Sequence, residues 1–300
     1  MTQIEGRLIK AVGGLYTVVT EHGRYDCSVR GIFRKHRVTP LIGDYVVIEM
    51  LDEQKHTGTI TSFLERRTEL IRPRTANVDQ AVVVLAAENP PMNPDTTDRF
   101  LILAEERRLE VVICMNKIDL SQQHIAALQL YQSIGYDVFT VSAKIGEGLE
   151  ALRAALINKT SVFAGPSGVG KSSLVNALMA NEERQTGELS HKLGRGKHTT
   201  RHVELIEISN GTFVVDTPGF TSLDLGHIAY DELPELFREF RPYLGECRFN
   251  DCRHINEPGC AVKDQAGVEI DAGRYDRYVT IWKEMNANAA VGSKRGRFFL

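Results

Sequence analysis

The sequence predicts a multidomain α/β protein with a β-barrel at its N-terminus and a helical, cysteine-rich module at its C-terminus. Short β-branched segments broken by glycine turns fill residues 4–65. From Asn77 onward, apolar strands alternate with helical segments, as in a mostly parallel α/β sheet. Three of the five cysteines then lie within 14 residues of one another. We place the domain boundaries at 1–69, 70–226 and 227–300, which suits a chain of 300 residues.

The N-terminal strands indicate a small closed barrel of the SH3 or OB type. The strand candidates are GRLIKAVGGLYTVVT, RYDCSVRG, GDYVVIEM and GTITSFLE. Residues 1–75 carry 12 Lys+Arg against 9 Asp+Glu, although the whole chain has a net charge of −3. The basic loop RGIFRKHR offers candidate RNA-phosphate contacts at Arg30, Arg34, Lys35 and Arg37, although a solvated loop has the same composition.

The central region has the alternation of a parallel sheet covered by helices. Its first strand, AVVVLAA, is apolar throughout, as expected of a strand buried on both faces. The further strand candidates are VVICM, DVFTVS, TSVFAG, HVELIEI and TFVVD. The helix candidates are TTDRFLILAEERRL, HIAALQLYQSIG, GLEALRAALI and KSSLVNALM. After Gly226 the pattern turns helical in DELPELFREF and again from Tyr275 to Asn288.

Membrane and secretory classes do not suit this sequence. Its apolar runs are shorter than the roughly 18 residues of a membrane span. The N-terminus, MTQIEGRLIK, lacks the apolar core of a signal peptide. We therefore predict a cytoplasmic protein with no membrane partner and with reduced thiols. Nothing in the sequence requires more than a monomer.

A glycine-rich segment between a strand and a helix reads GPSGVGKS, a full match to the P-loop pattern. Its glycines allow backbone N–H groups to turn toward phosphate oxygens without Cβ clashes. The ammonium of Lys171 supplies charge to the β- and γ-phosphates in such a loop, and the hydroxyl of Ser172 ligates Mg²⁺. The predicted phosphate-binding residues are Gly165, Pro166, Ser167, Gly168, Val169, Gly170, Lys171, Ser172 and Ser173.

A second motif, DTPG, stands at the end of the strand TFVVD. There the carboxylate of Asp216 can hold Mg²⁺ through a water, and the backbone N–H of Gly219 can meet the γ-phosphate. The pattern D-x-x-G is weak by itself. Its position 44 residues after Ser172, directly after a buried strand, makes it a strong partner for the P-loop.

Two loops earlier in the chain predict a guanine site. NKID follows the strand VVICM, and SAK follows the strand DVFTV. The carboxylate of Asp119 can accept hydrogen bonds from the ring N–H and the exocyclic amine of guanine, whereas adenine offers neither there. The stem of Lys117 can lie over the base, and Asn116 can tie the loop to the P-loop. The predicted base-binding residues are Asn116, Lys117, Ile118, Asp119, Ser142, Ala143 and Lys144.

The order of these motifs is rotated. In a Ras-like GTPase the P-loop and D-x-x-G come before N-K-x-D, whereas here NKID and SAK come first. One sheet can still form if the usual termini are joined and new ones are opened elsewhere, because domain termini tend to lie close together. The rotation predicts a circularly permuted P-loop GTPase domain whose D-x-x-G segment is tied covalently to the C-terminal region.

That C-terminal region contains a cluster with the spacing C-x₄-C-x-H-x₅-C. Cys247, Cys252, His254 and Cys260 supply the four soft ligands of a closed tetrahedral Zn²⁺ site. The spacing is not that of a standard zinc finger, so buried core cysteines remain the alternative. Cys27 and Cys114 lie in apolar strands, as core residues do.

Together these features resemble the RsgA family, the circularly permuted GTPases of small-ribosomal-subunit biogenesis. The resemblance covers the whole chain and depends on the barrel, on NKID, SAK, GPSGVGKS, GRGKHTTR and DTPGF in that order, and on the Cys-Cys-His-Cys cluster. It implies an OB-fold, a permuted GTPase domain and a zinc module, with small-subunit assembly as the task. It also marks 194–201 as the first switch, with Thr200 as the Mg²⁺-contacting residue and Thr199 as the close alternative.

The catalytic group is the least regular part of the pattern. Phe220 stands where glutamine would follow D-x-x-G and orient the attacking water, so the isolated domain should hydrolyse GTP slowly. His198, beside the switch threonines, can donate or accept a proton near physiological pH, and the resemblance supports it as the catalytic residue, with Lys171 and Thr200. An exposed loop histidine is the alternative. Further charge-stabilising candidates are Arg195, Lys197 and Arg201.

The predicted function is a Mg²⁺-dependent GTPase that binds small-subunit rRNA, is stimulated by the small subunit and leaves it on hydrolysis to GDP. A signalling GTPase is one rival, but Thr2 replaces the glycine needed for myristoylation and no C-terminal Cys box is present. A passive RNA-binding module is the other. The intact Lys171, Ser172, Asp216 and Asp119 argue against it.

Overall fold

A computed structural model describes residues 3–30, 39–71, 73–121, 125–186, 203–220 and 223–295. Within these ranges the chain forms a barrel, a six-stranded sheet flanked by helices, and a C-terminal module of turns and helices. This architecture confirms the predicted fold class. Among the described helices, none combines the length and apolar character that crossing a membrane requires.

A five-stranded barrel forms the N-terminal domain. Its strands are β1 (Gln3–Val12), β2 (Leu15–Thr20), β3 (Gly23–Val29), β4 (Tyr45–Asp52) and β5 (Thr57–Phe63). They close in the order β1-β2-β3-β5-β4, and within the barrel β3 and β5 form the parallel pair. This is the Greek-key closure of an OB-type barrel. Alternate side chains fill its interior, among them the fully buried Leu8, Val18, Val46, Ile48 and Ile60.

A short hairpin, which the sequence pattern did not predict, joins the barrel to the sheet. It consists of β6 (Glu69–Leu70) and β7 (Thr75–Ala76). The N–H of Ala76 donates to the carbonyl of Ile42 at 2.8 Å. Gly43 has φ of +95°, and a Cβ added there would stand 2.0 Å from the Ala76 carbonyl oxygen. Any side chain at position 43 would therefore push the hairpin away from the barrel.

The central domain is built on a six-stranded sheet. Its strands are β8 (Gln80–Ala86), β9 (Glu110–Asn116), β10 (Asp137–Thr140), β11 (Thr160–Ala164), β12 (Glu204–Ser209) and β13 (Thr212–Phe220). The order is β10-β9-β8-β11-β13-β12, and within the described sheet every pair is parallel except β12 with β13. Every residue of β8 is buried, as its apolar run predicts.

Four helices accompany this sheet within the described residues. They are α1 (Pro94–Glu106), α2 (Ile125–Ser133), α3 (Leu149–Leu156) and α4 (Lys171–Thr186). The strand β11 comes late in the chain, yet it lies between β8 and β13 near the middle of the sheet. The P-loop follows β11, so this position places it near the middle of the row formed by the carboxyl ends of the parallel strands.

The C-terminal module packs aromatic rings between two 3₁₀ turns and the last helix. The turns are Leu233–Leu236 and Arg238–Tyr243, and the helices are α5 (Ala261–Asp264) and α6 (Ala272–Arg295). The ring of Phe240 stacks on Phe237 and meets Tyr278 edge-on, with 4.8 Å between the latter centroids. These contacts fix α6 against the turns.

The helix expected over DELPELFREF is replaced by the two 3₁₀ turns. Pro234 lies in the first turn and Pro242 in the second. Proline has no backbone N–H and its ring crowds the preceding turn, so a continuous α-helix is unfavourable here. The chain changes direction between the turns, which brings Phe237 and Phe240 onto the same core.

The barrel lies against the β12 edge of the sheet. Lys10 of β1 pairs with Glu204 of β12 at 3.1 Å. Arg7 is buried, lies over the ring of Phe213 in β13, and donates to the carbonyl of Asn77 at 2.8 Å. Burial lowers the pKa of Arg7. The barrel is thus joined to both the linker and the sheet.

Candidate nucleotide site and metal centre

Loops from three separate parts of the chain meet at one edge of the central sheet. The P-loop follows β11, NKID spans the end of β9, and SAK follows β10. Because these strands are parallel, their carboxyl ends share that edge. Ligands of open α/β sheets bind outside the carboxyl ends of the strands. The topology therefore gathers the predicted motifs into one candidate site.

The P-loop adopts a conformation that requires glycine. Gly165, Gly168 and Gly170 all have positive φ. A Cβ on Gly165 would lie 2.2 Å from the Val84 carbonyl oxygen, so the loop passes directly against β8. Only a residue without a side chain permits this approach.

The ammonium of Lys171 lies inside this loop. Its Nζ donates to the carbonyls of Gly165 and Pro166 at 2.7 Å each. Burial lowers the pKa of Lys171. The charge is thus held over the loop by neutral carbonyl groups, a position from which it can turn to a phosphate.

Ser172 and Ser173 begin the helix α4 beside that charge. Both are exposed, and both lie in the first turn, where backbone N–H groups are free of helical partners. The positive end of the helix macrodipole adds to the field of Lys171. This arrangement can bind a phosphate chain and its cation.

Asn116 joins all three loops. Its Nδ2 donates to the Val169 carbonyl at 2.9 Å, and its Oδ1 accepts from the Ala143 N–H at 3.1 Å. The side chain is buried. The predicted tie from NKID to the P-loop is thus present in the structure, and it extends to SAK as well.

The neighbouring Lys117 and Asp119 are held by their own partners. Lys117 Nζ donates to the Gly168 carbonyl at 2.6 Å and also to the Asn89 carbonyl. The hydroxyl of Ser142 donates to Asp119 Oδ1 at 2.7 Å. The Asp119 carboxylate is exposed and keeps further lone pairs for a ligand.

These side chains border a cleft of about 410 Å³. Ligand sites in proteins commonly enclose about 300–1,000 Å³. The lining residues are Asn116, Lys117, Asp119, Leu120, Ser142, Ala143, Lys144, Gly170 and Ser173. Ile118 does not line the cleft; its N–H bonds the Val141 carbonyl at 3.3 Å and fixes the loop.

Two features of this site were missed in the sequence. Leu120 supplies an apolar wall of the cleft, and its signal was an apolar residue directly after NKID. The carbonyl of Asn89 holds Lys117. It had no sequence signal, because every residue carries a backbone carbonyl.

The DTPG segment lies in β13 rather than after it. Val162 pairs with Val215, and Ala164 pairs with Phe220. An advance of two residues along β11 therefore corresponds to an advance of five residues along β13. The backbone of Asp216 still pairs with Glu204 on the other side. The segment up to Gly219 therefore departs from regular pairing with β11. This departure lies at the carboxyl end of β11, where the P-loop begins.

Several predicted residues fall outside the described ranges. In the candidate switch these are Arg195, Lys197, His198, Thr199, Thr200 and Arg201. In the basic barrel loop they are Arg34, Lys35 and Arg37. Arg30 is described, and it pairs with Glu49 at 2.5 Å.

The structure brings the four predicted metal ligands together. Their ligand atoms all lie within 4.8 Å of one another. Nδ1 of His254 is 3.5 Å from Cys247 Sγ and 3.4 Å from Cys260 Sγ, and the two sulfurs are 4.0 Å apart. Tetrahedral Zn²⁺ ligation sets S···N distances of about 3.6 Å and S···S distances of about 3.8 Å. The donor set and its spacing fit one Zn²⁺.

The imidazole of the cluster is held in the form that ligates a metal, whereas the thiols must lose their protons to do so. Burial raises the pKa of Cys252 to about 12 and raises that of Cys260. Burial lowers the pKa of His254, which favours the neutral imidazole that ligates metals. A bound Zn²⁺ deprotonates a coordinating thiol outright, so it would compensate the cost of burying these sulfurs.

Glu257 and two tyrosines shape the loop that carries His254. The Glu257 carboxylate accepts from the N–H groups of Arg253 and Ile255 at 2.9 Å each. Burial acts to raise the pKa of Glu257, but these backbone hydrogen bonds outweigh it and leave the pKa lowered. Tyr275 of α6 donates to the His254 carbonyl at 2.9 Å, and Tyr278 donates to the Arg253 carbonyl at 2.6 Å. The last helix is thereby bonded to the metal loop.

Comparison with known proteins identifies relatives over nearly the whole chain. The family model described as RsgA N-terminal domain matches residues 5–60, and the model described as RsgA GTPase matches residues 63–226. A protein of Alkaliphilus metalliredigens is 46% identical over 95% of this chain and 98% of its own length. A protein of Geobacillus kaustophilus is 48% identical over 94% of this chain and 97% of its own length. Both are named small ribosomal subunit biogenesis GTPase RsgA.

Two solved structures have the same architecture. YloQ, described as a circularly permuted GTPase, is 37% identical with a TM-score of 0.81 and covers 96% of each chain. YjeQ from Thermotoga maritima is 35% identical with a TM-score of 0.83 over 95% of this chain and 99% of its own. These matches agree with the rotated motif order and with the gathering of the loops at one sheet edge. The chain belongs to the RsgA GTPase family, and its central domain is a circularly permuted GTPase domain.

Proposed function

We propose that this GTPase acts as a switch in late maturation of the small ribosomal subunit. It binds the subunit in its GTP-bound state and dissociates from it after hydrolysis. The observation that carries the proposal is the meeting of the P-loop, NKID and SAK around one cleft of about 410 Å³. The relatives' printed names supply the small subunit as partner. This role implies a cytoplasmic location, and a monomer with domains at 1–69, 70–226 and 227–300 suffices for it.

The guanine base occupies the cleft between NKID and SAK in this proposal. Asp119 accepts from the base. Within the described residues the Ser142 hydroxyl bonds its Oδ1, which leaves Oδ2 to accept from the guanine. The Lys117 stem covers the base plane. Asn116 holds the two loops and the P-loop in one arrangement, so that base and phosphates are bound together.

The phosphates lie on the P-loop, with Lys171 turning from its carbonyl partners to their oxygens. A bound Mg²⁺ would supply positive charge that neutralises the phosphate oxygens. Ser172, Asp216 and Thr200 would hold it, with Thr199 as the alternative to Thr200. Gly219 offers its N–H to the γ-phosphate.

Catalysis requires a group to orient water, because Phe220 cannot. We assign this role to His198. Docking on the small subunit would bring the imidazole to the attacking water. Basal turnover should therefore be low and subunit-stimulated. Arg195, Lys197 and Arg201 are the remaining candidates for stabilising the transition-state charge.

The Cys-Cys-His-Cys cluster holds one structural Zn²⁺ in this proposal, and the barrel supplies rRNA contacts. Arg30, Arg34, Lys35 and Arg37 are the proposed phosphate contacts. Arg30 is paired with Glu49, so a phosphate must compete with a carboxylate for its guanidinium. We expect Arg30 to contribute less than the others to the salt dependence of binding.

Sedimentation with purified small subunits tests the proposal. The chain should pellet with subunits in a non-hydrolysable GTP analogue and stay in the supernatant with GDP. Asp119→Asn should transfer this dependence to xanthosine nucleotides, because an amide offers a donor where the carboxylate accepts. Subunit binding that is indifferent to the nucleotide would support a passive RNA-binding module, and absence of binding would support a signalling GTPase.

Single-turnover hydrolysis with saturating subunits tests the catalytic assignment. His198→Ala should bind GTP normally and lose about 10²–10⁴-fold in rate, the usual contribution of a positioned acid–base group. A wild-type rate would move the role to another residue or to the ribosome.

A further inference from the structure

The segment 88–93 connects the candidate base site to helix α1. Its Asn89 carbonyl accepts from Lys117 Nζ. Its Pro90 lies against the P-loop, where a Cβ added to Gly168 would stand 3.4 Å from Pro90 Cδ. At its other end Asn93 caps α1, with Oδ1 accepting from the Thr96 N–H at 3.0 Å. A shift of the first turn of α1 would therefore move a carbonyl that holds Lys117.

The next turn of α1, which begins with Asp98, is attached to the C-terminal module by buried charges. Asp98 is fully buried, and its Oδ1 accepts from Arg274 at 2.5 Å and from the Tyr131 hydroxyl at 2.9 Å. Its Oδ2 accepts from Arg277 at 2.5 Å. Both arginines belong to α6. The carboxylate is thus shared between a helix of the GTPase domain and a helix of the module.

The charges are balanced within the cluster. Arg274 also bonds Glu239 at 2.5 Å. Burial by itself would lower the pKa of Arg274, but Asp98 and Glu239 hold it above its ordinary value. Removing one partner leaves an uncompensated buried charge, so this cluster keeps α1 and α6 in one relative position.

We infer that the Asp98–Arg274–Arg277 cluster is a positioning device for Lys117, through α1 and the 88–93 segment. The C-terminal module thereby contributes to guanine-nucleotide affinity without contacting the nucleotide. The inference depends on the proposed role of Lys117 in the base site. Since Lys117 lies on the base side, the contribution is the same for GTP and GDP.

The chain contains a matched control for this path. Glu105 lies seven residues after Asp98 on α1, about 10 Å further along the helix. It pairs with Arg238 at 2.5 Å and with Arg241 at 2.7 Å, which belong to the same module. This second attachment is at the end of α1 remote from the 88–93 segment, so it secures the module without positioning Lys117.

The test compares Arg277→Gln with Arg238→Gln. Each variant removes one arginine that the module contributes to α1, and Arg277→Gln leaves the Arg274–Asp98 pair in place. Arg277→Gln should weaken GTP and GDP binding by one common factor of about 3–10, within the range of indirect coupling effects. Its turnover at saturating GTP should be unchanged. Arg238→Gln should leave both affinities at the wild-type value, and Arg277→Lys should restore most of the loss.

A second measurement separates this inference from the base assignment. Lys117→Met should weaken nucleotide binding, and adding Arg277→Gln to it should cause no further loss. If Lys117→Met binds nucleotide normally, the proposed base site is wrong. If Lys117→Met weakens binding but Arg277→Gln does not, or if Arg277→Gln acts equally in both backgrounds, the positioning inference is overturned. Equal losses in Arg277→Gln and Arg238→Gln would also overturn it, because they would show a general effect of loosening the module.

Discussion

The barrel and the C-terminal module differ in the ion pairs that attach them to the GTPase domain. The barrel uses ion pairs open to water: side-chain exposure is 43% and 33% for Lys10 and Glu204, and 60% and 21% for Arg24 and Glu207. The module uses Arg274, which is 1% exposed. Exposed pairs contribute about 0–1 kcal/mol, whereas breaking a buried pair costs about 3–5 kcal/mol. The two interfaces therefore respond differently to salt, mutation and movement.

The two interfaces also lie at different places relative to the proposed nucleotide switch. The module is bonded to α1, which follows the 88–93 segment that contacts Lys117 of the candidate base site. The barrel lies on β12, the strand that comes after the candidate first switch at 194–201. We expect the module to move with the GTPase domain as one body. We expect the barrel to be the part that shifts when the nucleotide changes.

Removing the proposed Zn²⁺ should break the module interface and spare the barrel interface. Structural Zn²⁺ contributes about 10–16 kcal/mol in zinc-finger peptides. Tyr275 and Tyr278 of α6 donate to the carbonyls of His254 and Arg253 in the metal loop, so losing the ion should release α6. Hydrogen exchange before and after chelation should show α6 deprotected and β1 unchanged.

Metal analysis is the companion measurement, with one zinc per chain expected in protein purified without chelator. Cys260→Ser should reproduce the chelated state. Wild-type protection of α6 in that variant would contradict a structural metal.

Replacing the buried arginine should have the next largest effect. Arg274→Met leaves Asp98 and Glu239 buried without their shared cation, and we expect a loss of about 3–5 kcal/mol in the free energy of unfolding. Urea unfolding measures it. Arg241→Met is the control, because its guanidinium is half-exposed, and it should cost less than about 1 kcal/mol. Similar losses in both variants would remove the distinction between buried and exposed attachments.

Arg7 is the arginine of the barrel interface that is buried, as Arg274 is in the module interface. It is buried, and its Nη2 donates to the Asn77 carbonyl at 2.8 Å. Arg7→Met loses both the hydrogen bond and the guanidinium that lies over Phe213, so it should cost about 1–3 kcal/mol. Arg24→Met should stay within about 0.5 kcal/mol of wild type. If Arg24→Met were the costlier change, the exposed pairs would be the main attachment of the barrel.

The smallest expected effect is that of the Lys10–Glu204 pair. A double-mutant cycle with Lys10→Ala and Glu204→Ala should give a coupling energy of about 0.2–1 kcal/mol. The coupling should fall toward zero in about 1 M salt, where the Debye length is about 3 Å. Coupling that survives high salt would indicate that the barrel is held as firmly as the module.

The sequence by itself predicted the chemistry of the candidate sites. GPSGVGKS, NKID and the Cys-Cys-His-Cys cluster were recognisable because a phosphate, a guanine and a Zn²⁺ each demand particular atoms at short spacings. The rotated order of the motifs was evident from their positions. The alternation of apolar segments was enough for the barrel and the parallel sheet, because each pattern reflects the faces that a strand or helix buries.

Only the tertiary structure decided how the domains are joined and which partners position the site residues. Asp98 and Arg274 are 176 residues apart, and nothing local to either residue marks it as a partner of the other. The Asn89 carbonyl that holds Lys117 is a group that every residue possesses. Such contacts depend on where the whole chain places two surfaces, whereas motif chemistry depends on residues that are neighbours in sequence. The two 3₁₀ turns that contain Pro234 and Pro242 lie between these cases. The prolines are a local signal against a continuous helix. The helical pattern of the surrounding residues was the stronger signal, so the sequence predicted a helix.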